Sequence, residues 1–87
     1  LNPWPSAYAV LDGKKMKLHA SRRIPGWGGA PGELRNILGE LAVACGGEEA
    51  LLLTQLQPEN SKKMDSRSYL LGHPLHQGAK FEELGNL

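Results

Sequence analysis

Rows of cations are the residues of this chain whose types and spacing suit chemistry. Lys15, Lys17, His19 and Arg23 alternate along KKMKLHASRRI, and Lys62 and Lys63 stand side by side in LQPENSKKMD, where a leucine-rich run gives way to a helical pattern. In extended chain, alternation at period two puts Met16, Leu18, Ala20 and Ile24 on one face and Lys15, Lys17, His19 and Arg23 on the other. Arg22 interrupts the apolar row and is expected on the inward side. Two readings of the cationic row stand together: the solvated outer face of a half-buried strand, or a stripe that meets nucleic-acid phosphates.

Other chemistry finds no support in the sequence. His73 and His76 have a His-x-x-His spacing, but no carboxylate or third histidine accompanies them at ligand spacing, so no metal is expected. The pairs Glu48-Glu49 and Glu82-Glu83 are sequence neighbours, whose side chains diverge in extended chain and do not make a two-carboxylate site. No nucleophile elbow frames any serine. The glycines of PGWGGAPG form no phosphate cradle; Trp27 in their midst is either a stacking platform for a base or, more ordinarily, tucked against its own domain. Cys45, the single cysteine, lies in apolar LAVACGG and reads as a buried small hydrophobe. Catalysis by this chain alone is not expected.

The elements that must position these cations belong to one small domain, because 87 residues cannot supply two cores. No apolar run reaches the roughly 18–20 residues that cross a bilayer, and LNPWPSAYAV lacks the pattern of a signal peptide, so a soluble protein with no membrane partner is expected. The start at Leu1 suggests a piece of something longer. Net charge is +1, yet residues 1–23 set five Lys and Arg against Asp12, whereas residues 24–60 set Arg35 against five glutamates. A positive face can survive in a nearly neutral molecule.

The two prolines of NPWPS predict an extended entry with Trp4 as an apolar anchor. Asp12-Gly13 predicts a hairpin turn. Three strands follow, near Glu33–Ile37, Leu41–Cys45 and Ala50–Gln57, with turns at Leu38–Glu40 and Gly46–Glu49; the apolar spacing of PGELRNILGELAVA also fits a helix, against which Gly39, Gly46-Gly47 and Pro58 argue. Asp65 is a predicted N-cap for a helix over Ser66–Leu71 with Tyr69, Leu70 and Leu71 inward, closed by Gly72 and Pro74; a last strand is predicted around Ala79–Phe81. Short strands at close intervals with one short helix give a mainly-β fold, a small, partly open Greek-key barrel.

NPWPSA, KMKLHASR, APG, VACGGEEALLLTQLQPENSKKM and YLLGHPLHQGAKF together resemble the carboxyl-terminal domain of methionyl-tRNA formyltransferases, over nearly the whole chain. The resemblance implies an OB-like barrel that holds initiator tRNA, mainly by its phosphates, for a separate amino-terminal catalytic domain. That domain, not this one, takes formyl-tetrahydrofolate. The compartment implied is a bacterial cytoplasm or an organellar matrix. Lys62 and Lys63 match the paired lysines that follow Leu-Gln-Pro in that family, and as point charges on flexible stems they suit backbone anchoring better than base reading. Lys15, Lys17 and Arg23 are the candidate second stripe.

Three departures stand out: Ser6 where the family often has glycine, an approach to the lysine pair one residue longer, and an acidic Glu48-Glu49 turn that would oppose RNA lying across that end of the barrel. Related enzymes with small substrates, sugar-nucleotide formyltransferases among them, end in the same type of domain, which leaves a purely structural role as the alternative. A free-standing single-strand binder would need aromatics on the strand face, where only Lys and His alternate.

Overall fold

The computed structural model of the chain describes residues 7–86, so the Asn2–Ser6 entry and Trp4 lie outside the described residues. Strand β1 (Ala7–Leu11) turns through Asp12-Gly13 into the long β2 (Lys14–Pro25). Both turn residues have positive φ, 52° and 79°, the requirement of a two-residue hairpin loop that matches the strand twist. A glycine-rich loop leads to a meander of β3 (Leu34–Ile37), β4 (Glu40–Gly46) and β5 (Glu49–Pro58), followed by β6 (Met64–Asp65), helix α1 (Ser66–Gly72) and β7 (Glu83–Asn86). The meander strands fall within a residue or so of their predicted bounds.

Strand order is β3-β4-β5-β2-β1-β7, all neighbours antiparallel, with β6 paired to β5 off this path. A meander whose last strand lies beside β2, from which it is reached only through a long loop, is a Greek-key arrangement. The sheet curls into a half-barrel, and the C-terminal segment spans its two edges. Leu34 N–H donates to the Ala79 carbonyl at 3.0 Å and Phe81 N–H to the Gly32 carbonyl at 2.9 Å, while Glu82 N–H reaches the Val10 carbonyl at 2.7 Å beside β1. The predicted strand at Ala79–Phe81 is thus a single bridge, Lys80 to Glu33, and the true last strand comes later, against β1.

The core is aliphatic. Leu41, Val43, Leu53 and Leu56 are 0% exposed and pack with Met16, Leu18, Tyr69, Leu70 and Phe81. Each such side chain contributes about 1.5–3 kcal/mol by leaving water. Helix α1 lies against β4 and β5 through Ser66, Tyr69 and Leu70, the i, i+3, i+4 face. Leu71, expected inward, is 83% exposed, because the next residue along a helix turns about 100° off that face. The Asp65 cap is formed: its carboxylate accepts the Ser68 N–H at 2.7 Å.

Strand β2 departs from simple alternation. Leu18 faces Leu56, Ala20 faces Gln55 and Ser21 faces Leu53, with register irregularities around His19 and Ala20. Directly opposed residues share a face, and Leu51, Leu53 and Leu56 all belong to the core, so the inward face changes parity there. Met16 and Leu18 are buried as predicted. Beyond the irregularity Arg23 stands opposite the core residue Leu51, and Arg22 opposite Leu52, which lies outside the core cluster. The expectation of Arg23 beside Lys15 and Lys17, with Ala20 and Ile24 inward, is corrected; both arginines are exposed.

Candidate nucleic-acid interface

Lys15 and Lys17 are exposed on the outer face of β2, and Lys62 and Lys63 are exposed in the turn that links β5 to β6. Backbone pairing brings these sequence-distant pairs to the same end of the sheet. Lys17 lies opposite Gln57 in β5, and Glu59 N–H donates to the Lys15 carbonyl at 3.0 Å. The Gln57 side chain then ties the turn down: its Nε2 donates to the Ser61 carbonyl at 3.0 Å, next to Lys62, and its Oε1 lies 2.9 Å from His19 Nε2. A shallow cleft of about 300 Å³ lies at this end of the sheet, lined by Lys15, Lys17, Gln57, Pro58, Glu59 and Asn60. Pro58 ends the strand, and Asn60 takes the positive φ of 62° that reverses the chain toward the lysines.

Packing fixes one lysine head. Lys15 Nζ sits 4.5 Å from the centroid of the Tyr8 ring, on the neighbouring strand. The Tyr8 hydroxyl donates to Glu83 at 2.6 Å, and this bond, reinforced by the same carboxylate's charge, raises the phenol's pKa. Lys14, exposed beside the hairpin turn, pairs with the core residue Leu11 and so stands on the opposite face of β2 from Lys15 and Lys17, a further positive charge at this end of the sheet. The sequence signal for it was the unbroken GKKMK tract, in which it follows a turn glycine. Gln57 carries no charge, and nothing in the sequence marks it as the tether.

Arg23 is not part of the cluster. It lies six residues beyond Lys17, about 20 Å along the strand, past the irregularity. The acidic turn is farther still: Glu49 pairs with Pro25, about 25 Å along β2 from Lys17, so its carboxylates do not face the lysine edge.

The remaining candidates have structural partners. Trp27 Nε1–H donates to Glu33 at 2.6 Å and Arg35 stacks on its ring at 4.9 Å, so the indole is tucked in. Cys45 is half-buried, and burial, then Glu49, push its thiol pKa up, away from reactivity. Glu82 accepts the N–H groups of Asp12 and Gly13 at 2.7 and 2.9 Å, clamping the hairpin turn. His73 stacks on Tyr69 with ring centroids 4.6 Å apart, and His76 Nε2 lies 3.4 Å from Asp12. Among the described residues no three His, Cys, Asp or Glu side chains gather as a metal site, and no helix is long and apolar enough to cross a membrane.

Residues 1–74 match the sequence profile of the family described as formyl transferase, C-terminal domain. The chain is 39% identical over 79 residues to a methionyl-tRNA formyltransferase of Caldanaerobacter subterraneus subsp. tengcongensis, covering 90% of this chain and 25% of that protein. It is 41% identical over 80 residues to the methionyl-tRNA formyltransferase of Bacillus subtilis, again 90% of this chain and 25% of that protein. With that of Macrococcus caseolyticus the identity is 42% over 84 residues, 95% of this chain and 27% of the relative. The chain thus spans about a quarter of the length of the curated relatives it matches. On the profile match and these identities, it belongs to the formyl transferase C-terminal domain family.

Proposed function

We propose that this chain is the carboxyl-terminal domain of a methionyl-tRNA formyltransferase, with a barrel of the OB type, and that its lysine edge anchors initiator tRNA through backbone phosphates. The observation that carries the reading is the union of Lys15 and Lys17 with Lys62 and Lys63 at one end of the sheet through the Gln57–Ser61 bond. Four ammonium groups on a folded edge release counterions when they meet phosphates, a sequence-independent source of affinity. Formyl transfer belongs to a separate amino-terminal catalytic domain, where formyl-tetrahydrofolate supplies the formyl group. This domain's contribution is positional: holding the tRNA body converts an encounter into an oriented complex. Such a protein works where translation starts, in a bacterial cytoplasm or an organellar matrix.

The test is binding of initiator tRNA to the chain between about 50 and 200 mM salt. Replacing Lys62 and Lys63 together by Ala is expected to weaken binding and to flatten the plot of log affinity against log salt by about one unit for each phosphate left unneutralised. An unchanged slope removes the lysine assignment. A wild-type chain that fails to bind even at low salt points instead to a structural domain of a small-molecule formyltransferase.

A further inference from the structure

A second cleft, of about 330 Å³, opens between the C-terminal end of α1 and the β1–β2 hairpin. Lys15, Pro58 and Glu59 line it and the first cleft alike, so it continues the lysine edge inward. Its character differs from a phosphate-binding surface. Met64 and Leu75, half-buried against the core, contribute apolar lining, and Lys14 and Lys15 line it as well. Tyr69 is buried, His73 is exposed, and their rings are parallel to within 9°. The His73 ring is held, since its Nδ1 lies 3.3 Å from the Tyr69 carbonyl. Two carboxylates also line the cleft, and both are engaged: Asp12 faces His76 at 3.4 Å and Glu59 accepts the Lys15 N–H at 3.3 Å.

An apolar, aromatic slot with cations beside it has the chemistry of a site for one splayed-out nucleotide, because unpaired bases stack on aromatic rings while their phosphates stay with the cations. The volume lies at the small end of ligand pockets, enough for a single base and sugar. We propose that this cleft receives one unpaired nucleotide of the bound RNA, its base against the His73–Tyr69 ring pair and its phosphate at Lys14. The inference rests on reading the lysine edge as an RNA interface and adds single-strand recognition to it.

The test compares two hairpin RNAs of identical duplex, one blunt and one with a three-nucleotide single-stranded overhang carrying 2-aminopurine. The overhang is expected to tighten binding to the wild-type chain by about tenfold, with quenching of 2-aminopurine fluorescence as the base stacks. His73→Ala is expected to abolish both the gain and the quenching while leaving blunt-duplex affinity in place, and His73→Phe, which keeps a ring, to restore them. If the blunt duplex binds and the overhang adds neither affinity nor quenching, the nucleotide site is refuted and the lysine anchor stands. If neither RNA binds at low salt, the lysine anchor fails and this inference falls with it.

Discussion

Gln57 Nε2 donates to the backbone carbonyl of Ser61 at 3.0 Å, so the last residues of β5 hold the turn that carries Lys62 and Lys63. Because the same side chain meets His19 on β2, one neutral amide joins both lysine pairs. Gln57→Ala is expected to lower RNA affinity a few-fold without changing its salt slope, since every charge remains and only the placement of two of them is loosened. The thermal midpoint should move little, as the hydrogen bonds removed are solvent-accessible. A flattened slope in this variant would show that Gln57 acts other than by positioning.

Leu53 and Leu71 form a matched pair of tests. Leu53, 0% exposed and opposite both Leu41 and Ser21, is expected to cost about 2–5 kcal/mol when cut to Ala, a large share of the stability of so small a domain. Leu71→Ala should change stability by less than about 0.5 kcal/mol, because that side chain is already in water. Chemical denaturation of the two variants checks both.

Leu38 occupies the tight turn between β3 and β4 with φ of 53° and is 88% exposed. A leucine in left-handed conformation is strained by about 1–2 kcal/mol and gains nothing from burial here. Leu38→Asn is expected to raise stability by about 1 kcal/mol, read as a higher denaturation midpoint.

His76 gives the hairpin a pH dependence. Its Nδ1 lies 3.0 Å from the Gln77 carbonyl and its Nε2 3.4 Å from Asp12, so only the imidazolium donates to both. The Gln77 carbonyl first, and then Asp12, raise its pKa above the ordinary 6.5. The stabilisation is therefore fully present below the ordinary value and is lost as pH rises through the raised one. His76→Gln should lower the thermal midpoint below pH about 6 and leave it unchanged at alkaline pH.

Local chemistry made much of this fold legible. Asp12-Gly13 specified its own turn, Asp65 its own cap, and the glycines between the leucine-rich runs the breaks of the meander. What escaped the sequence depends on partners. Alternation along β2 is sound as far as Leu18, but a register irregularity reverses faces invisibly, since it arises between strands, not within one. Lys62 and Lys63 were visible as charges, whereas the tether through Gln57 and the exclusion of Arg23 required knowing which strand lies beside which. Trp27 was open to two readings, and Glu33 with Arg35 decides it.

Pairing of β7 with β1 joins segments at opposite ends of the described chain, Ala7 with Asn86. During synthesis at about 5–20 residues per second, β1 waits roughly 4–15 s before its outer neighbour exists. Throughout that interval the hairpin offers the ribosome's surroundings an unpaired strand edge, and barrel closure becomes a late event, held back until the far end of the domain has been made.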